Sequence, residues 1–454
     1  MRNEDLVAGS TREAGNCRVL PLLLALTTAS ATYAADWLQF RGPNSSGIAA
    51  ADAKPATTWS DSENVQWKIA LPGPGSSSPI VCRERVFVTC YSGYGDGSSG
   101  GGPDKLQRHL ICLERQSGRI LWDQSVPADL PEDAFTGNLT EHGYASSTPV
   151  TDGERVYVFF GKTGALAFDL EGKQLWKVNL GKQSGNRRWG SGASPILYQH
   201  LVIINASEES RSVRALDKLT GQEVWKAEAN TLELCYSTPA LVEAGGRTDL
   251  VLAVPGELWG LNPDTGKLRW FASTGISGNV SPSVVAGDGV IYTTGGFPRL
   301  AAAAVRAGGK GDVTRTNILW TSQNASYVPS PVIADGRLYV ATDGGFALCL
   351  DVKDGKALYK ERLPGASATG SGKPFYASVV LANGNLYAVS RRNGTFVFEA
   401  KPEFKLVAHN TLAGDDSDFN ATPAVAGRQL FLRSNRSLYC IESMQTGGAG
   451  KQPQ

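Results

Sequence analysis

Histidine is scarce in this chain: His109, His142, His200 and His409 are the four among 454 residues. Three of them are scattered over predicted strands and loops, so neither a His-ligated metal nor a Ser-His-Asp triad has a signature here. None of the seven cysteines stands in Cys-x-x-Cys spacing, which removes the usual marks of structural zinc and c-type haem. Charge of one sign is also missing. The 44 basic and 43 acidic residues leave a net charge of +1, with no electrostatic footprint for nucleic acid or an anionic membrane surface. The apolar run Val19 to Leu26 falls well short of the roughly 20 residues of a membrane span.

Turns and a repeat are plentiful. The 52 glycines and 23 prolines fit many short strands, and Ala215 to Trp225 gives the pattern they serve, Ala-x-Asp-x-x-Thr-Gly-x-x-x-Trp. Related stretches run from Cys112 to Trp122, Ala167 to Trp176, Gly260 to Trp270 and Cys349 to Tyr359. With Trp67 and Trp320 the corresponding aromatics are Trp67, Trp122, Trp176, Trp225, Trp270, Trp320 and Tyr359, a spacing of 39 to 55 residues that marks a repeat architecture. Each copy reads as a hairpin: an apolar run, an acidic or amide residue, a turn glycine, then the strand carrying the aromatic. Upstream, a Ser/Thr-Pro step such as Ser78-Pro79, Thr238-Pro239 or Ser281-Pro282 starts another strand pair. Proline suits that first strand because an edge strand loses no ladder bond to it.

Four short antiparallel strands per unit make a propeller blade. Units begin near Ser78, Thr148, Ser194, Thr238, Ser281, Ser330, Ser378 and Thr422, and the last lacks its aromatic strand. The expected fold is therefore all-β, a single eight-bladed propeller over residues 63–443, closed by the strand Val65 to Leu71 completing the last blade. Residues 1–34 read as a signal peptide, with Thr32-Tyr33-Ala34 before the cleavage site, residues 35–62 as an N-terminal arm across the ring, and 444–454 as a disordered tail. Ala301 to Asp312 reads as an insertion in the fifth blade with a helical or irregular path. Cys112, Cys349 and Cys440 occupy a small buried slot of the repeat, whereas Cys82 and Cys90, on successive strands, offer a disulfide in an oxidising compartment.

The repeat unit resembles the tryptophan-docking repeat of the pyrroloquinoline quinone (PQQ)-like propeller family, which includes BamB-like assembly factors and quinoprotein dehydrogenases. Trp37-Leu38-Gln39-Phe40-Arg41-Gly42-Pro43-Asn44 and Gly309 to Thr314 look like an exported bacterial subgroup of unassigned role. The resemblance implies that the repeat aromatics pack between blades and carry fold rather than chemistry. It also raises PQQ and calcium as possible cofactors, although the adjacent cysteine pair of many such dehydrogenases is missing.

Residues preceding each first strand are expected to converge on one mouth of the channel, the usual place for a propeller pocket. They are Glu141, His142, Tyr144, Arg187, Arg188, Trp189, Tyr236, Asn279, Tyr327, Lys373, Tyr376, Asp418 and Asn420. Arg187 and Arg188 suit a carboxylate or phosphate, and Trp189 and the tyrosines a planar ligand; the plainer alternative is blade-entry residues bonded to one another and to channel water. The expected function is a periplasmic or secreted, monomeric, non-catalytic module that binds a protein or polymer partner. The alternative is a PQQ- and calcium-dependent dehydrogenase or quinone-binding protein using the channel mouth.

Overall fold

Eight sheets, antiparallel but for one added strand, follow one another along the computed structural model, which describes residues 36–98, 100–366 and 372–443. The expected leader and tail lie outside the described residues. Blade 1 takes its strands in order, Ile80–Cys82, Arg85–Ser92, Gln107–Glu114 and Ile120–Pro127. Blade 8 runs Ala424–Ala426, Gln429–Arg433 and Ser437–Ile441, and Val65–Ala70 from the other end of the chain supplies its outer strand. The pairing of Trp67 with Cys440 and Ala70 with Ser437 closes the ring.

The repeat's turn is built by its own side chains. Asp217 Oδ1 accepts the N–H groups of Leu219 at 3.0 Å and Thr220 at 2.9 Å, and Gly221 follows at φ +74°. That glycine is needed twice, because the Trp176 ring of the preceding blade lies on it; a Cβ there would stand 2.8 Å from Trp176 Cδ2. Trp176 Nε1 then donates to Lys218 O at 3.1 Å. The same docking sets Trp67 on Gly118, Trp122 on Gly172, Trp225 on Gly266 and Trp320 on Gly355. Their indoles donate at 2.8–2.9 Å to the carbonyls of Arg115, Leu170, Pro263 and Val352. A buried indole N–H needs such a partner, so five blade junctions are each fastened by one apolar face and one hydrogen bond.

Trp270 departs from this scheme. Blade 5 has no docking glycine to offer, because residues 307–317 replace the short turn. The Trp270 ring lies instead against its own blade's Gly260, where a Cβ would stand 2.0 Å from Cε2, and Nε1 donates to the buried Asp249 at 2.7 Å. The blade-5 segment covers it: Gly311–Asp312 pairs in parallel with Trp270 and Phe271 as a fifth strand on blade 4, and Val313 is buried beside them. This corrects the reading of Ala301 to Asp312. Ala301–Arg306 is the regular third strand of blade 5, its Ala302 to Val305 buried, and the insertion begins only after it. Small side chains here answer close packing between sheets rather than helix propensity.

Around the axis, hydroxyls link the first strands. Ser78 N donates to Thr148 Oγ1 at 2.9 Å, Thr148 N to Ser194 Oγ at 3.0 Å and Ser194 N to Thr238 Oγ1 at 3.0 Å. The relay continues from Thr238 N through the hydroxyls of Ser283, Ser330, Ser378 and Thr422 at 2.9–3.3 Å. In blade 5 the position belongs to Ser283, two residues beyond the Ser281-Pro282 step that marks it in the sequence.

The arm crosses the opposite face. Trp37, 1% exposed, bridges to Val81 of blade 1, and Leu38 O accepts Thr151 N of blade 2 at 3.0 Å. The fully buried Arg41 donates to Ser45 O, Ser46 O and, at 2.5 Å, Pro331 O of blade 6. Ile48 bridges to Leu381 of blade 7. Burial draws the Arg41 guanidinium down to about 9. Cys82 and Cys90 are both free. They face different neighbours, Cys82 the blade-2 side and Cys90 the blade-8 side, so the pleat of the sheet sets them apart.

Candidate functional site

One end of the channel holds a cavity of about 190 Å³. Glu141, His142, Trp189, Tyr236, Tyr327, Tyr376 and Asn420 line its wall, the relay serines and threonines stand below them, and Phe40 of the arm also lines it. Seven of the thirteen residues singled out in the sequence therefore meet around one space. They come from loops of different blades because each blade sends its entry loop to the same end.

The wall is braced by a residue that sequence reasoning did not single out. Arg391, 8% exposed, pairs with Glu141 and, at 2.7 Å, with Asp418, and its guanidinium lies 5.2 Å from the Tyr376 ring centroid. Arg392 holds the other oxygen of Asp418 at 2.5 Å. Asn420 Nδ2 donates to Glu141 O at 2.7 Å, joining blade 8 to the loop before blade 2. His142 Nδ1 lies 2.6 Å from Ser146 Oγ, and burial lowers the imidazole's pKa, so it stands neutral. Across the cavity Trp189 stacks on Tyr236, centroids 5.8 Å apart and planes within 27°.

The remaining candidates lie around this space rather than in it. Tyr144 is buried in an aromatic cluster with Tyr91, Tyr94 and Phe135, its hydroxyl donating to Asp133 O at 2.6 Å. Arg187 and Arg188 are exposed, Arg187 with its guanidinium 5.8 Å from the Trp189 ring centroid and Arg188 at φ +52°. Asn279 donates to Tyr327 OH at 2.7 Å, and Lys373 pairs with Asp343 at 3.4 Å.

Behind Tyr236 lies a buried layer of charge. Tyr236 OH donates to Glu208 Oε1 at 3.0 Å, and Glu209 accepts from Ser191 through one oxygen while its other has no partner among the described residues. Lys162 pairs with Asp133 at 2.8 Å and Arg108 with Glu132 at 2.5 Å in the same region. Burial, with the Glu208 charge adding to it, lifts the Glu209 carboxyl to about 7. The folded protein then keeps a proton that the unfolded chain releases near 4.5, so stability falls as pH rises through this window. At about 1.4 kcal/mol per unit, roughly 3 kcal/mol is lost by pH 8. Glu209→Gln is expected to flatten the decline in melting temperature between about pH 5 and 8; a pH profile like that of the parent would refute this assignment.

A second line of groups stands on blade 1. Ser92 Oγ is 2.8 Å from His109 Nε2, and His109 Nδ1 is 2.9 Å from Asp123 Oδ1, the order of an acyl-transfer triad. The amide after the serine, Gly93 N–H, is bonded to Asp96 Oδ2 at 2.7 Å and is not free to hold an oxyanion. The line ties three adjacent strands together, and the sequence gives no hint of it because its members are 14 and 17 residues apart.

A quinone-calcium site needs oxygen donors in number, about 6–8 for calcium. Among the described residues no three of His, Cys, Asp and Glu gather as a metal-holding group. At the mouth Glu141 is engaged by Arg391, Asp418 by Arg391 and Arg392, and Asp343 by Lys373 and the Tyr327 amide. The donor set does not fit the pair.

Comparison with known proteins agrees with the architecture. The family model described as outer membrane protein assembly factor BamB matches residues 106–361 and 256–452. Curated BamB from Burkholderia pseudomallei is 25% identical over 369 residues, covering 79% of this chain and 81% of that protein. Tetrathionate hydrolase from Acidianus ambivalens is 27% identical over 187 residues, but the match spans 33% of that enzyme and 37% of this chain. The crystal structure of BamB from Moraxella catarrhalis superposes with a TM-score of 0.58 at 12% identity, covering 84% of this chain and 98% of that one, a likeness of fold. With its docked tryptophans, eight blades and closing strand, this chain belongs to the family of the outer membrane protein assembly factor BamB.

Proposed function

We propose that the protein is an exported, non-catalytic module of the periplasm that binds a protein partner, in the manner of an assembly factor. The observation that carries this reading is the match to BamB over most of both chains. The arm face supports it. There a groove of about 640 Å³ runs past Ile48 of the arm and the first-strand residues Leu197, Leu241, Val285 and Ile333. Its lining combines these apolar side chains with the polar Gln39, Asn44, Glu243 and Asp288, a mixture that suits a protein-binding patch. The engaged carboxylates at the mouth favour binding over the quinoprotein alternative. In a bacterium deprived of its own BamB, the secreted chain is expected to restore outer-membrane protein levels. A Glu243→Lys, Asp288→Lys variant, at two exposed positions of the groove, is expected to fail while keeping the parent's melting temperature. No restoration by the parent, or full restoration by the variant, would defeat the proposal.

A further inference from the structure

The channel cavity lies on the other side of the ring from the arm-face groove, and its chemistry is of another kind. Two residues on its wall carry a buried polar atom with no partner among the described residues: Ser78, 1% exposed, through Oγ, and Asn420, 7% exposed, through Oδ1. Both belong to the seam between blades 8 and 1, where the hydroxyl relay ends: Thr422 accepts from Ser378, and no bond joins Thr422 to Ser78. Leaving a polar atom buried and unpaired costs about 1–3 kcal/mol, which a ligand at this point would recover. The relay hydroxyls add donors. Thr238, Ser283, Ser330 and Ser378 each accept one amide and donate to nothing else among the described residues, so their protons are free for the channel.

Charge and shape narrow the ligand further. Glu141 is neutralised by Arg391, His142 is neutral, and the arginines that would draw an anion, Arg187 and Arg188, stand outside the lining. What remains is a set of hydroxyls and amides around the stacked Trp189 and Tyr236, with Tyr327 and Tyr376 also on the wall. Aromatic faces take the C–H face of a saturated ring, and a rim of hydroxyls and amides takes its equatorial oxygens. Phe40 limits the depth, so the cavity of about 190 Å³ holds a single small ring rather than a chain passing through. We propose that the channel mouth is a binding site for one neutral sugar residue, free or at the end of a glycan, seated against Trp189 and hydrogen-bonded at the Ser78–Asn420 seam.

The test is calorimetric titration of the full chain with glucose, galactose and N-acetylglucosamine, with inorganic phosphate and PQQ plus Ca²⁺ as competing arms. At least one sugar is expected to bind saturably. Trp189→Ala is expected to weaken it by about tenfold or more. Ser78→Ala is the cleaner variant, because Ser78 Oγ makes no bond among the described residues and its removal is expected to leave the fold intact; it too is expected to weaken the sugar. The proposal is overturned if no sugar binds, if only phosphate or PQQ with Ca²⁺ binds, or if both variants bind sugar like the parent. These outcomes are independent of restoration in the BamB-deficient strain, since the Glu243 and Asp288 variant leaves the channel untouched.

Discussion

A chain lacking residues 63–71 is expected to melt at least about 10 °C below the parent, or to fail to fold. The deletion removes the outer strand of blade 8, so Ser437–Ile441 loses the register from Val65 opposite Ile441 to Ala70 opposite Ser437. It also removes Trp67, whose ring rests on Gly118 of blade 1 and whose indole donates to Arg115 O. That contact and Arg115, which donates to Ala426 O at 2.9 Å and Gln429 Oε1 at 2.6 Å, fasten the last blade to the first. A Trp→Ala change at a packed site costs about 3–5 kcal/mol, and the lost ladder and newly exposed strand add to it. Trp67→Ala is expected to show the packing part alone. Differential scanning calorimetry distinguishes the two variants, and a deletion that melts with the parent would mean the ring does not depend on this closure.

Gly260→Ala is expected to destabilise the fold by at least about 3 kcal/mol, a large effect for one methyl group. The new Cβ would stand 2.0 Å from Trp270 Cε2, and that ring is fully buried with its Nε1 held by Asp249. Asp249 is itself fixed by Arg269 at 2.6 Å and Arg247 at 3.2 Å, so the indole has no room to swing. At the matching slot other blades carry Ala167, Ala215 or Cys112 without conflict, because their tryptophans lie outward on the next blade's glycine. Trp270→Leu should cost less in the Gly260→Ala background than in the parent, with a coupling of at least about 1 kcal/mol in a denaturation cycle. Additive effects would mean that the steric conflict is relieved elsewhere.

These two sites also show what a reader of the sequence can and cannot see. The role of Trp67 is legible because its strand matches the one missing from the last unit. The role of Trp270 is not, since the pattern from Gly260 to Trp270 is nearly intact; the change lies in blade 5, where the docking turn has been replaced. At the mouth, Glu141 and Asp418 carry their position before a blade as a signal, but Arg391 sits at the far end of a second strand and joins a residue 250 positions away. Tyr144 has the same sequence signal as its neighbours and is buried elsewhere, because Tyr91, Tyr94 and Phe135 offer it a closer apolar partner.

The sequence by itself determined the number of blades, their turns, the strand that closes them and the end of the ring where entry loops gather. Each of these follows from local chemistry repeated at fixed intervals: an Asp that caps a turn, a Gly that permits positive φ under an indole, a Ser or Thr that starts an edge strand. Only the tertiary structure decided which entry residues share the cavity, which are neutralised by Arg391, and which polar atoms at the Ser78–Asn420 seam stay unpaired. Those outcomes depend on the angle between blades and on one loop meeting another across the axis, and no repeated local pattern encodes either.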